Sequence, residues 1–293
     1  NIELTNSAFW TCHFLVCDSV KVKGIKIYSH SNWNNDGLDI DARNVEISDC
    51  RIDADDDGIC LKSDRNVFCE NVKVSNCIIK TNCNGIKLGT ASKQGFRNIA
   101  ISGCKVSKAS EDNFRHWKNT VKWAGITQEV TAVSGIALES VDGGTIDGVN
   151  ISGIEMSDVQ TPVFIRLGDR NRAYSDHISA LRNVTIASIP ATAASRIASS
   201  ITGVPGGIVE NVLIKDVHIT LPGGGTAADT SALVPHNEKA YPENRMFGVV
   251  LPAYGFYVRN VNNIRFQDVN IITQQQDIRP EYKFDEVTDY TVK

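Results

Sequence analysis

The sequence predicts an all-β chain wound as a right-handed parallel β-helix. Three observations predict it. A ten-residue pattern recurs every 27 residues, beginning at Arg43, Glu70 and Arg97. Each copy carries an asparagine at its second place, followed by alternating apolar and polar residues. No long amphipathic helical pattern competes with it.

The first element of each turn is the strand inside that pattern. Alternation at a period of two buries one face of a strand. The inward residues are Val, Ile and Cys, and the β-branched ones suit strands. Such a strand cannot bury its face alone, but stacked copies line a shared interior. Weaker copies begin at Asp18, Asp147, Arg182, Glu210 and Asn262. The asparagines Asn44, Asn71, Asn98, Asn183, Asn211 and Asn263 fall at one place per copy. Stacked at a corner of the coil, they can hydrogen-bond along the column as amide ladders do. A β-sandwich or propeller does not readily explain such a column.

The second element is a strand that follows a glycine in four turns, at Gly37, Gly58, Gly85 and Gly135. A fifth copy, beginning at Val163, lacks the glycine. The outward residues Asp39, Cys60, Lys87, Ala137 and Arg166 are expected in register or one place away. Residues just before these strands should cluster likewise: Asp36, then Asp56 with Asp57, then Asn84. Stacked turns stand about 4.8 Å apart, so the three carboxylates should share one patch. Acid/base hydrolysis of a glycosidic bond requires such a cluster. Burial of several carboxylates together should raise one pKa and create the acid.

One β-helix domain over residues 1–293 is expected, with inserted loops at about 108–133 and 221–247. The first loop carries His116, Trp117 and Trp123, which suit contact with a sugar ring or packing on the coil. Cys50, Cys77 and Cys104 repeat at one position, which predicts a stack of buried free thiols. Cys12 with Cys17, or two of Cys60, Cys69 and Cys83, could form a bridge. No Cys/His spacing resembles a zinc site. The run 53–58 resembles the start of a calcium loop, but strands rather than helices flank it.

Composition limits the function classes. The net charge of −4 over 293 residues gives no reason to expect nucleic acid or an anionic membrane as partner. No apolar run approaches the ~20 residues of a membrane span. The chain opens without a signal-like segment or a starting methionine, which suggests a mature or truncated product. Oligomeric state is not legible.

At these residues the sequence resembles glycoside hydrolase family 28, the polygalacturonase-like enzymes. The segment 34–39, Asn-Asn-Asp-Gly-Leu-Asp, is similar to the family's Asn-Thr-Asp-Gly-x-Asp motif. Asp56-Asp57-Gly58 is similar to its Asp-Asp-Cys motif. The resemblance implies a pectin-lyase-like solenoid and single-step inverting hydrolysis of a pectic or related plant cell-wall polysaccharide. It implies Asp56 as general acid, with Asp36 and Asp57 positioning and deprotonating water. It implies no cofactor or metal, an oligo- or polysaccharide substrate, and a secreted or periplasmic location.

Two departures bear on substrate. Asn84 stands where the family has His, and Ala137-Leu138-Glu139 stands where it has Arg-Ile-Lys. Arg and Lys there would bind a uronate carboxylate through charge-assisted hydrogen bonds. Two readings stay open: Lys87 and Arg166 restore the charge, or the sugar is neutral and Glu139 binds its hydroxyls. The substrate-binding candidates are therefore Asn84, Lys87, Glu139, Arg166 and His116. A calcium-dependent lyase and a non-catalytic glycan-binding protein share the fold and are the alternatives.

Overall fold

The structure is a computed structural model that describes residues 2–111, 131–170, 177–247 and 250–293. His116, Trp117 and Trp123 lie outside the described residues. Among the described residues nineteen strands pair in parallel, the inner ones with strands one turn before and after. The chain is a right-handed parallel β-helix, in the hand that parallel crossovers take. Among the described residues the only helical stretch is a short 3-10 turn, Ala227–Ser231. No helix of the described residues is long and apolar enough to cross a membrane.

Each turn contributes to three faces. The first face contains the repeat, and its inward column runs Val20, Val45, Val72, Ile99, Val149, Val184, Val212 and Ile264. The weaker copies thus fall into register with the strong ones. The second face includes the strands Lys26–Ser29, Arg51–Ala54, Ile78–Thr81 and Lys105–Lys108. The third includes Ile59–Ser63, Asn84–Ser92, Ala132–Ser140 and Ser199–Thr202. Inward residues of all three faces form one buried apolar column.

The asparagines turn the corner into the first face. Asn44, Asn71, Asn98, Asn183, Asn211 and Asn263 all have φ between 53° and 56°, the left-handed region Asn tolerates best after Gly. Their amides form a ladder: Asn71 donates to Asn44 at 2.9 Å and Asn98 to Asn71 at 2.6 Å. The ladder stops at Gly148, which takes the same corner with φ 71°. It resumes where Asn183 donates to Asp147, Asn211 to Asn183 and Asn263 to Asn211. Outward charges on this face also pair between turns, Arg43 with Asp18, Arg97 with Glu70 and Arg182 with Asp147.

All eight cysteines are free. Neither bridge left open by the sequence forms. In the expected stack, the thiols of Cys50, Cys77 and Cys104 donate to the carbonyls of Ser48, Ser75 and Ser102, at 3.2, 3.3 and 3.4 Å.

The segment 232–247 passes back over the third face as a strap. Arg259 donates to the carbonyls of Val234 and Pro235, and Arg166 to that of His236. The Asp169 amide donates to Glu238 O at 2.7 Å. Asn244 is buried and donates to Val133 O at 2.9 Å and to Thr161 at 3.0 Å. Beneath the strap, Ala137, Phe164, Ala198 and Tyr257 form a second apolar cluster with Phe247 and Leu251.

Candidate active site

The corner before the third face is built from glycine. A Cβ on Gly58 would stand 2.3 Å from Ile79 Cγ2 and 2.8 Å from Gly85 O. Gly37, Gly85 and Gly135 meet Ile52, Val106 and Met156 in the same way. Only glycine lets successive corners approach this closely. The backbone continues its ladder through them, Gly37 N to Asp57 O and Gly58 N to Asn84 O, both 2.8 Å. Residues immediately before these glycines are thereby stacked. Asp36, Asp57, Asn84 and Ser134 are those residues.

The structure brings Asp36, Asp56, Asp57, Asn84, Lys87 and Glu139 together. An oxygen of Asp57 lies within 4.8 Å of one on Asp36, and the same limit holds between Asp57 and Asp56. Asn84 donates both its backbone N–H, at 3.1 Å, and its side-chain amide, at 2.7 Å, to Asp57 Oδ1. Lys87 Nζ donates to Asp57 Oδ2 at 2.8 Å and stands 3.8 Å from Glu139 Oε2. Glu139 also accepts from Thr90 Oγ1 at 3.2 Å, while its buried Oε1 has no hydrogen-bond partner among the described residues.

Arg166 lies elsewhere. The outward column runs Asp39, Cys60, Lys87, Ala137 and Phe164, so Arg166 is two places past it and pairs with Glu139. Its guanidinium is fully buried under the strap, reaching Thr202 Oγ1, Gly203 O and His236 O. Alternation of the strand directs it outward, but the strap covers that stretch of the face. Ala137 is covered too, by the apolar cluster of Phe247 and Tyr257.

Four groups at the site escaped the sequence reading. Lys62 bridges Asp36 at 3.5 Å and Asp39 at 3.0 Å, with its ammonium 4.4 Å from the centre of the Trp10 ring. Lys62 follows Cys60 by two residues on one strand, so the outward period would have found it. Asp39 was read as an outward residue but not as part of the site. Thr90 and Tyr241 close the other side: the Tyr241 hydroxyl is 3.1 Å from Thr90 Oγ1 and 3.4 Å from Lys87 Nζ. Tyr241 comes from the strap, which no local pattern could place. Arg170 lies just outside, held by Asp142 at 2.7 Å.

The electrostatics follow from burial. Burial and the neighbouring Asp39, Asp56 and Asp57 push the Asp36 pKa well above the ordinary carboxylate range. Burial lifts Asp39 to about 6 against the pull of Lys62. Burial also works to raise Asp57, but Lys87, Lys62 and the Asn84 amide outweigh it and hold Asp57 below the usual range. Glu139, wholly buried, is pushed up to about 7 despite Lys87. The group thus contains a firmly ionised carboxylate beside carboxyls that retain protons, the division of labour that acid/base catalysis needs.

Two sets of side chains are close enough to share a cation, Asp36–Asp57–Cys60 and Asp56–Asp57–Cys83. Both include a thiol, a poor ligand for calcium or magnesium, and Lys87 already occupies Asp57 Oδ2.

Two solved structures share this architecture. The exopolygalacturonase of Thermotoga maritima superposes with a TM-score of 0.65 at 18% identity, covering 92% of this chain and 51% of that one. The family 28 exopolygalacturonase of Yersinia enterocolitica superposes with a TM-score of 0.62 at 13% identity, covering 98% of this chain and 44% of that one. The chain spans about half the length of these two structures. No curated protein matches the chain. Residues 1–240 match the glycosyl hydrolases family 28, a stretch that takes in every carboxylate and lysine of the cluster. With that match across most of its length, the chain belongs to glycosyl hydrolase family 28.

Proposed function

We propose that this chain hydrolyses a glycosidic bond of a pectic or related cell-wall polysaccharide in a single inverting step. The observation that carries this reading is the convergence of Asp36 and Asp56 on Asp57, a carboxylate that a lysine holds ionised. Asp56 is the most exposed of the three, 7% against 3% for each of the others, and protonates the leaving oxygen. Asp57 and Asp36 position the attacking water, and Asp57, the one held ionised, takes its proton. The protons belong to the coupled group, whose titration is shared among its members.

Cleavage is at chain ends. The strap crosses the third face beyond Lys87 and sets Tyr241 at its edge, which supports a cleft narrowed on that side. The names of the two similar structures, both exopolygalacturonases, agree with this. The protein would meet its polymer outside the cytoplasm.

A screen of plant polysaccharides and oligosaccharides, with products followed by mass spectrometry and NMR, tests the proposal. Saturated terminal units that have gained one water, released with inverted anomeric configuration, are the expected result. Unsaturated products would replace hydrolysis with a lyase reaction. Binding without any product would make this a glycan-binding protein. Tyr241→Ala should lengthen the products by opening the closed side; an unchanged product profile would remove the strap from this account.

A further inference from the structure

A second groove lies around the corner from the cleft, on the second face. It holds a cavity of about 220 Å³ lined by Glu3, Lys26, Tyr28, Arg51, Ile78 and Lys80, among others. The strand Arg51–Ala54 forms part of it and runs directly into Asp55, Asp56 and Asp57. The groove is therefore adjacent to the catalytic turn but opens on another side of the coil.

Its charges break a habit of this fold. Elsewhere, outward cations are commonly paired with a carboxylate on the next turn, as in Lys21–Glu46, Arg43–Asp18, Lys105–Glu155 and Arg182–Asp147. Here Lys26 and Arg51 are direct register neighbours, so two like charges stand about 4.8 Å apart in backbone spacing. Glu3 stands beside Lys26 in register on the preceding turn, but among the described residues none of Lys26, Arg51 and Lys80 makes an ion pair. Asp53 is beside Lys80 in register and also lines the groove, but its Oδ1 is turned to His30 at 2.9 Å and to the Ser110 amide at 3.1 Å. Like charges so placed repel, and a bound polyanion would relieve the repulsion. Between the cations, Tyr28 and Ile78 offer an apolar floor. An apolar floor with a cationic rim fits a pyranose ring that carries a carboxylate.

We propose that this groove is a surface site for an acidic polysaccharide, bound through its carboxylates by Lys26, Arg51 and Lys80, with its sugar rings on Tyr28 and Ile78. The site would hold a polymer against the protein beside the turn that cuts it. It does not depend on the reading of the cleft, because binding is measured without turnover.

Affinity electrophoresis through gels containing polygalacturonate, with a neutral glucan gel as control, tests it. The unaltered chain should be retarded by the acidic polymer and not by the neutral one, less so as salt rises. Lys26→Ala/Arg51→Ala/Lys80→Ala should weaken that retardation by about tenfold in affinity, the sum of three exposed ion pairs. The single reversal Lys80→Glu, which leaves the rest of the groove intact, should weaken it in the same direction. Turnover of a short soluble oligosaccharide should be unchanged in both variants. Undiminished retardation of the triple variant would overturn the proposal, as would equal retardation by the neutral gel. If the chain cuts nothing yet the triple variant loses retardation, the groove stands and the hydrolase reading falls.

Discussion

Lys87 and Asp57 form an ion pair at 2.8 Å, buried at 3% exposure for each residue. Removing one partner of such a pair leaves a charge without compensation, at a cost of about 3–5 kcal/mol. Lys87→Met should therefore lower the melting temperature sharply, and Asp57→Asn in the same chain should recover much of the loss. Turnover should fall in both. A double variant as unstable as the sum of the two single ones would show that the pair is not coupled.

Asp56→Asn should reduce turnover by about 10²–10⁴-fold through loss of the general acid. The side chain remains isosteric, so melting temperature and oligosaccharide binding should be kept. Steady-state kinetics beside calorimetry decide the matter. Full activity in the variant would transfer the acid role to another carboxyl, with Asp36 next in line.

Gly58→Ala tests the corner. The new methyl would meet Ile79 Cγ2 at 2.3 Å and the carbonyl of Gly85 at 2.8 Å. Overpacking of this kind costs about 1–3 kcal/mol. The adjacent Asp57 would move with the backbone, so turnover should drop by more than stability alone explains. A variant with wild-type kinetics and melting would mean that the turns can separate freely.

Stability should pass through a maximum in mild acid. Asp39, lifted to about 6, and Glu139, lifted to about 7, keep protons in the folded chain that the unfolded chain releases. The folded state binds more protons across that window, so stability falls as pH rises from about 4 to about 7. Asp57 has the opposite sign. Its depressed pKa contributes stability above the unfolded value of about 3.9, and that is lost as pH falls further. Glu139→Gln should flatten the decline on the alkaline side, by an amount on the order of a few kcal/mol. Thermal melts of both chains at a series of pH values give the comparison, and parallel curves would refute the assignment to Glu139.

The solenoid was legible because its physics is local and repeated. Asn44, Asn71 and Asn98 each specify a corner, and the alternation after them specifies which side is buried. The same period placed Asp36, Asp57 and Asn84 at one corner column. Arg166 was legible as an outward residue but not as a covered one. Its fate depends on Val234, Pro235 and His236, about seventy residues later, folding back across the face. Tyr241 is the same case in reverse, since nothing in its neighbourhood says that its hydroxyl will meet Thr90. Lys62 was there to be found. Two residues past Cys60 on an alternating strand, it had to face the same way.

The interruption of the amide ladder at Gly148 has a bearing on cooperativity. One continuous run of side-chain bonds ties Asp18 to Asn98, and another ties Asp147 to Asn263. In a linear array, stability is set by each unit and its nearest neighbours, and a weakened junction divides it into blocks that open separately. Asp36, Asp56, Asp57 and Lys87 belong to the first block, while Arg166 and Arg259, which anchor the strap, belong to the second. Hydrogen exchange should accordingly resolve two protected units meeting near Gly148. Loosening of the second would release Tyr241 from the cleft while the carboxylates stay assembled.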